Sequence, residues 1–180
     1  MIIRPMRMED SAGIGRVHAA TWLTTYRGIV PDEYLDSIQM NVWQTRWTSQ
    51  LRSPAPDVFG YVAENEEKSS EIAGFVHGGA SRSPELPYRG ELYAIYILKE
   101  YQQQGLGRRL TRALVRDLLN AGMSDMFLWV LEANHSSRRF YEALGGQYIK
   151  TNTFEIHGVP INECAYGWSD LSPFLQEKHS

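Results

Sequence analysis

Tyr101-Gln102-Gln103-Gln104-Gly105-Leu106-Gly107-Arg108-Arg109-Leu110 is the stretch from which the rest of the chain can be read. A strand-like segment, Glu91 to Leu98, ends just before it, and an amphipathic segment, Leu106 to Leu119, begins inside it. The Gly-x-Gly therefore sits where a strand hands over to a helix. There the first backbone N–H groups of the helix have no intrahelical partner, and the helix dipole presents its positive end. Two glycines let an anion come close to that backbone. Two readings stand: a phosphate cradle, or turn chemistry at a helix start. Two familiar cradles are excluded. No Gly-Lys pair occurs in the chain, so a Gly-x-x-x-x-Gly-Lys loop is absent. Leu110 stands where a dinucleotide fingerprint needs its third glycine.

On the N-terminal side, Glu91, Tyr93, Ile95 and Ile97 alternate with Leu92, Ala94, Tyr96 and Leu98. Apolar residues on both faces predict a central strand covered on both sides. On the C-terminal side, Leu106, Leu110, Leu114 and Leu118 form one helical stripe, opposite Arg108, Arg109, Arg112 and Arg116. Ala121-Gly122 ends that helix, and Met126 to Leu131 reads as another buried strand. Asn134 is positioned to cap a helix that stops at Gly145. Gln147 to Phe154 and Pro160 to Trp168 form a hairpin turning at His157-Gly158.

Before the deciding stretch, Ile2 and Ile3 read as a short strand. Asp10 can cap a helix whose Ile14, Val17, His18, Thr21 and Trp22 recur at helical spacing. His18 and Trp22 are read as a helix face packed on a sheet. Pro31-Asp32-Glu33 opens a second helix, and Asn41 can cap a third carrying Trp43, Trp47 and Leu51. Asp57 to Asn65 and Glu71 to Ala80 form a hairpin around the polar turn Glu64 to Ser70, and Ser81 to Arg89 is a loop. The expected fold class is α/β: a mixed, mostly antiparallel sheet of about seven strands flanked by helices.

Composition bounds the rest. The chain has 180 residues, 43% hydrophobic and 22% charged, with a net charge of −3. One domain over residues 1–180 is expected. The charge argues against a nucleic-acid binder. No apolar run approaches ~20 residues, and the first residues lack a signal-peptide core, so a cytoplasmic protein without a membrane span is expected. The single cysteine, Cys164, excludes an intramolecular disulfide and reads as a small buried hydrophobe. His18, His77, His135, His157 and His179 have no ligand-like spacing, so no metal is expected.

Gln102-x-x-Gly105-x-Gly107 and, one strand later, Asn134-x-x-Ser137-x-x-Phe140-Tyr141-Glu142-x-Leu144-Gly145 occur in fixed order. Together they resemble the GNAT superfamily of acetyl-CoA-dependent N-acetyltransferases, as does the Ile2-x-Arg4-Pro5 opening. Gln102 replaces the commoner Arg, Ser137 replaces Ala, and Gly146 stands where Phe usually follows. The resemblance implies a sheet splayed at its centre and acetyl-CoA as co-substrate. It implies that Gln102, Gln103, Gln104, Gly105, Leu106, Gly107 and Arg108 hold the pyrophosphate. Ile95, Tyr96 and Ile97 would pair with the pantetheine arm, and Asn134, with Ser137 and Phe140 of its motif, would contact the cofactor. A dimer through the last strands, or a monomer, is compatible.

The implied reaction is direct attack of an amine on the acetyl thioester. Tyr141 occupies the place of the general acid. Full proton transfer from a phenol to a thiolate is uphill by about 1.5 pKa units, so a strengthening hydrogen bond is expected. Glu91, fourteen positions before Gly105, resembles the catalytic glutamate of some members and is the candidate base, with Tyr93 in reserve. The oxyanion would meet a backbone N–H near Ile97. In such a fold the acceptor site comprises Trp22 to Gly28, Ser81 to Gly90 and Thr153 to Pro160. Trp22, Tyr26, Arg27 and Tyr93 are its candidate side chains. Amino acids, polyamines, aminosugars and peptide N-termini all remain open as acceptors. A non-catalytic acyl-CoA sensor is the competing class.

Overall fold

The computed structural model describes residues 1–68 and 71–176. Ser69 and Ser70 of the polar turn, and His179, lie outside the described residues. Seven strands form one sheet: β1 (Ile2–Pro5), β2 (Val58–Asn65), β3 (Glu71–Ala80), β4 (Gly90–Ile97), β5 (Met126–Leu131), β6 (Gln147–Ile156) and β7 (Val159–Trp168). Their order is β1-β2-β3-β4-β5-β7-β6. All neighbours are antiparallel except β4 and β5, which run parallel. Five α-helices accompany them: α1 (Ser11–Thr25), α2 (Asp32–Asp36), α3 (Met40–Arg52), α4 (Leu106–Asn120) and α5 (His135–Ala143). No helix among the described residues is long and apolar enough to cross a membrane.

The two faces of the sheet are covered by different helices. Leu106, Leu110, Leu114 and Leu118 of α4 are buried, as their spacing predicts. On the other face α1 and α3 bring His18 and Trp47 against Phe75 of β3. Some caps differ from expectation. Asp10 gives α1 no side-chain cap; its buried carboxylate instead accepts from Arg4 and from the Arg7 backbone. α3 begins at Met40, so Asn41 lies inside it and Gln39 takes the cap position. The last hairpin turns at His157-Gly158, where both residues have positive φ (51° and 76°), the backbone of a type I′ turn.

Two irregularities shape the centre. The β3–β4 register steps from His77↔Ala94 to Gly78↔Leu92, so Tyr93 is an extra residue with no partner. A bulge resets the alternation. Tyr96, opposite Phe75, falls on the α1 side with His18, while Ile97 lies under α4 near Gly107. The expected single face of Glu91, Tyr93, Ile95 and Ile97 is therefore broken at Tyr93. Secondly, β4 and β5 pair only at Gly90↔Met126 and Glu91↔Phe127. Beyond those pairs the strands diverge, and β4 from Leu92 onward has no strand on its β5 side.

Candidate active site

The divergence of β4 and β5 opens a cleft of about 1180 Å³. Its wall on one side is β4 from Leu92 to Ile97, and on the other Trp129, Val130 and Leu131 of β5 with α5 beyond. Three regions follow one another along it.

At one end lies the strand-to-helix junction. Gln103 and Gly105 adopt positive φ (59° and 76°), and Gly105 sits at the cap position of α4. Nothing lies within 4 Å of where a Cβ on Gly105 would project, so its backbone faces open space. Lys99, Gln102, Gln103, Gly105, Leu106, Gly107 and Arg108 all line this end. The N–H groups of the helix start, the helix dipole and two cations suit this end to an anion. Gln102 donates its side-chain amide to the Ile97 carbonyl (2.9 Å), which ties the loop to the end of β4. Gln104, included with the pyrophosphate group on resemblance, does not line the cleft; its amide donates to the Glu100 carbonyl. Gly107 has a packing reason of its own: a Cβ there would stand 2.8 Å from Cζ of Phe140.

The middle holds Tyr26, Tyr96, Asn134 and Tyr141. Trp22 Nε1 donates to the Tyr96 hydroxyl (3.1 Å), and the Tyr26 ring lies edge-on to Trp22. Asn134 also caps α5 by accepting from the Ser137 backbone (3.2 Å). Burial pushes the Tyr141, Tyr96 and Tyr26 hydroxyls up from the usual phenol range. They stay protonated at neutral pH and can serve as donors. Ser137 and Phe140 line the cleft beside Tyr141.

The other end is aromatic. Trp22, Ile29, Tyr34, Leu131 and Ile156 pack around buried Tyr26, Val30 and Leu35. Trp129, Phe154, Glu155, His157 and Glu163 complete the lining. Burial raises the pKa of Glu163, whose Oε1 accepts from Asn152 (3.1 Å).

The structure brings most of the sequence candidates together, with two further exceptions. Glu91 is buried and does not line the cleft. Its Oε2 accepts from the Arg82 backbone (2.8 Å) and its Oε1 from the Arg82 guanidinium (2.5 Å), so both oxygens are engaged. Arg82 in turn stacks over the ring of Tyr93, 3.7 Å from its centroid. Arg27 is turned to Asp32 and Asp36 on the exposed side of α2 and lines nothing. The stretch from Ser81 to Gly90, expected at the acceptor site, contributes no lining residue. Tyr93 and Trp22 do line it. Lys99, Tyr34, Trp129 and Glu163 were missed. Only Lys99, between the strand and the Gly-x-Gly, carried a local signal; the others come from elements whose placement is tertiary.

His18 and Cys164 bear out the bland reading. His18 is stacked on Trp43 (3.7 Å between centroids), and its Nδ1 accepts from Trp47 Nε1 (3.2 Å). Cys164 is buried in β7.

Comparison with known proteins shows the family and the fold. Residues 20–146 match the family described as the acetyltransferase (GNAT) family. An uncharacterized N-acetyltransferase of Bacillus subtilis, YuaI, is 39% identical over 170 residues, covering 94% of each chain. The PaiA N-acetyltransferase of Thermoplasma acidophilum, solved in complex with coenzyme A, superposes with a TM-score of 0.70 at 20% identity, over 93% of this chain and 98% of that one. YncA of Salmonella typhimurium, solved with acetyl-CoA, gives 0.69 at 17% identity, over 100% and 96%.

Proposed function

The chain belongs to the GNAT family of acetyltransferases, and from that premise we propose that it carries an acetyl group from acetyl-CoA directly to a primary amine, with both held in the cleft at once. The observation that carries this reading is the parting of β4 from β5 between an anion-binding helix start and the buried Tyr141 hydroxyl. The residues present fit the cofactor. The backbone of Gln103 to Gly107, with Lys99 and Arg108, would hold the pyrophosphate. The unpaired side of β4 from Leu92 to Ile97 would give the pantetheine amides a strand edge. When bound, acetyl-CoA supplies an activated thioester carbonyl at the middle of the cleft.

The chain's own groups then have three tasks. A backbone N–H on the free side of β4 meets the carbonyl oxygen as it gains charge. Tyr141 donates a hydrogen bond to the sulfur as the carbon–sulfur bond breaks and the carbon–nitrogen bond forms. Because burial raises the Tyr141 pKa, the hydroxyl keeps its proton and its hydrogen bond strengthens as the sulfur leaves as a thiolate. The amine must arrive without its proton or lose it during attack. Glu91 would take that proton only after leaving Arg82, or through a water.

The test is release of free CoA from acetyl-CoA in the presence of a panel of primary amines. Amine-dependent thiol release above background supports transfer. Tight acetyl-CoA binding that no amine converts into thiol release would instead identify a non-catalytic acyl-CoA sensor.

A further inference from the structure

The lining of the cleft is electrically polar along its length. Its one lysine and one arginine, Lys99 and Arg108, both stand at the anion-binding end, while an imidazole, His157, stands at the other. Among the described residues, the acceptor end has no lysine or arginine in its lining, and its charged groups are the carboxylates of Glu155 and Glu163. The cations nearby are committed elsewhere. Arg27 is paired with Asp32 and Asp36, and Lys150, 5.8 Å from the centroid of the Trp129 ring, is not in the lining.

Glu163 is placed to matter. In the β5–β7 register it stands opposite Leu131, and Leu131 packs with Tyr34 and Ile156 in the apolar cluster of the acceptor end. Glu163 is half-buried there, with its side chain held by a single amide donor from Asn152. A second polar group of the same cleft is unpartnered. The Thr21 hydroxyl is buried, lines the wall and has no hydrogen-bond partner.

Resting on the acetyl-transfer reading, we propose that the acceptor is a small cationic amine without a carboxylate, whose apolar stem lies among Tyr34, Trp129 and Ile156 and whose second, non-reacting ammonium is received by Glu163. An α-amino acid is disfavoured by the same features. Its carboxylate would enter a partly desolvated site beside two like charges and with no lysine or arginine in the lining to receive it. A second ammonium meets the opposite situation: aromatic faces and a carboxylate.

The experiment compares lysine, 1,5-diaminopentane and pentylamine as acceptors, read by CoA release from saturating acetyl-CoA, with acetyl-CoA affinity measured separately. The diamine is expected to exceed lysine and pentylamine in kcat/KM by about tenfold or more each. Glu163→Gln is expected to bring the diamine-to-pentylamine ratio close to unity. Lysine turning over as well as the diamine, or an undiminished diamine preference in Glu163→Gln, overturns this acceptor assignment while leaving acetyl transfer intact. No turnover with any amine despite intact acetyl-CoA binding overturns the transfer reading, and the acceptor class with it.

Discussion

Two side chains illustrate how identity and environment diverge. Tyr141 is a phenol that burial prevents from ionising, so the contribution proposed for it is a donated hydrogen bond to developing thiolate charge. Tyr141→Phe removes the donor and keeps the ring, which packs against Phe140 and Trp168. It is expected to lower kcat by about a hundredfold while the acetyl-CoA dissociation constant changes little; steady-state kinetics and a binding titration separate the two. Glu91 is a carboxylate whose oxygens are both engaged. Glu91→Gln keeps an acceptor for the Arg82 backbone and loses the ion pair, at a cost of order 1 kcal/mol against a half-exposed guanidinium. The expected result is a modest fall in the denaturation midpoint, with kcat reduced by less than about tenfold. A hundredfold loss at neutral pH that recovers as the amine is deprotonated would make Glu91 the base.

At the scale of elements, the contact between α4 and α5 and the turn into α4 each rest on a glycine. Gly107 lets Phe140 lie against the first turn of α4, where an added methyl would stand 2.8 Å from the ring. Gly107→Ala is therefore expected to push α5 away, destabilise the fold by about 1–3 kcal/mol and displace Tyr141 with it. Chemical denaturation measures the first effect and kcat the second. Gly105 differs. Its surroundings are open and only its φ of 76° demands glycine. Gly105→Val forces the turn to another conformation. It is expected to abolish acetyl-CoA binding by calorimetry while circular dichroism shows the helices intact. Gly146 explains one departure from the family pattern. A Cβ there would stand 2.6 Å from the Trp168 ring, so the tryptophan of β7 fills the space beside it.

Across the whole molecule, two desolvated imidazoles, His18 buried and His77 half-buried, couple folding to pH. Burial lowers the pKa of His18 to about 3 and that of His77 to about 4, from an ordinary 6.5, with Arg46 and Arg82 adding smaller contributions. Both are neutral in the fold, while the unfolded chain takes up their protons as pH falls through 6.5. Stability is therefore complete above about pH 6.5 and declines toward pH 4 by up to about 1.4 kcal/mol per pH unit for each histidine. Urea denaturation between pH 4 and 7 measures this slope. His77→Phe, which keeps a ring beside Trp47 and Tyr93, is expected to flatten it.

What was legible in the sequence was what short-range chemistry decides. Periodicity marked α4 and β5, glycines marked where helices begin and end, and His157-Gly158 marked its own turn, because each depends on residues within a few positions. Two ordered motifs then named the family, and most of their residues line the cleft. The bulge at Tyr93 was not legible, since it is a register between strands, and it reversed the faces assigned to Ile95 and Ile97. Nor was the fate of Glu91 legible, because its partner Arg82 lies across a loop whose path composition does not dictate. The amino-acid sequence alone thus determined the elements, their order and the Gly-x-Gly junction, which follow from local backbone and side-chain preferences. Only the tertiary structure decided which charges meet, leaving Lys99 and Arg108 at one end of the cleft and Glu163 at the other, because pairing between distant strands sets those distances.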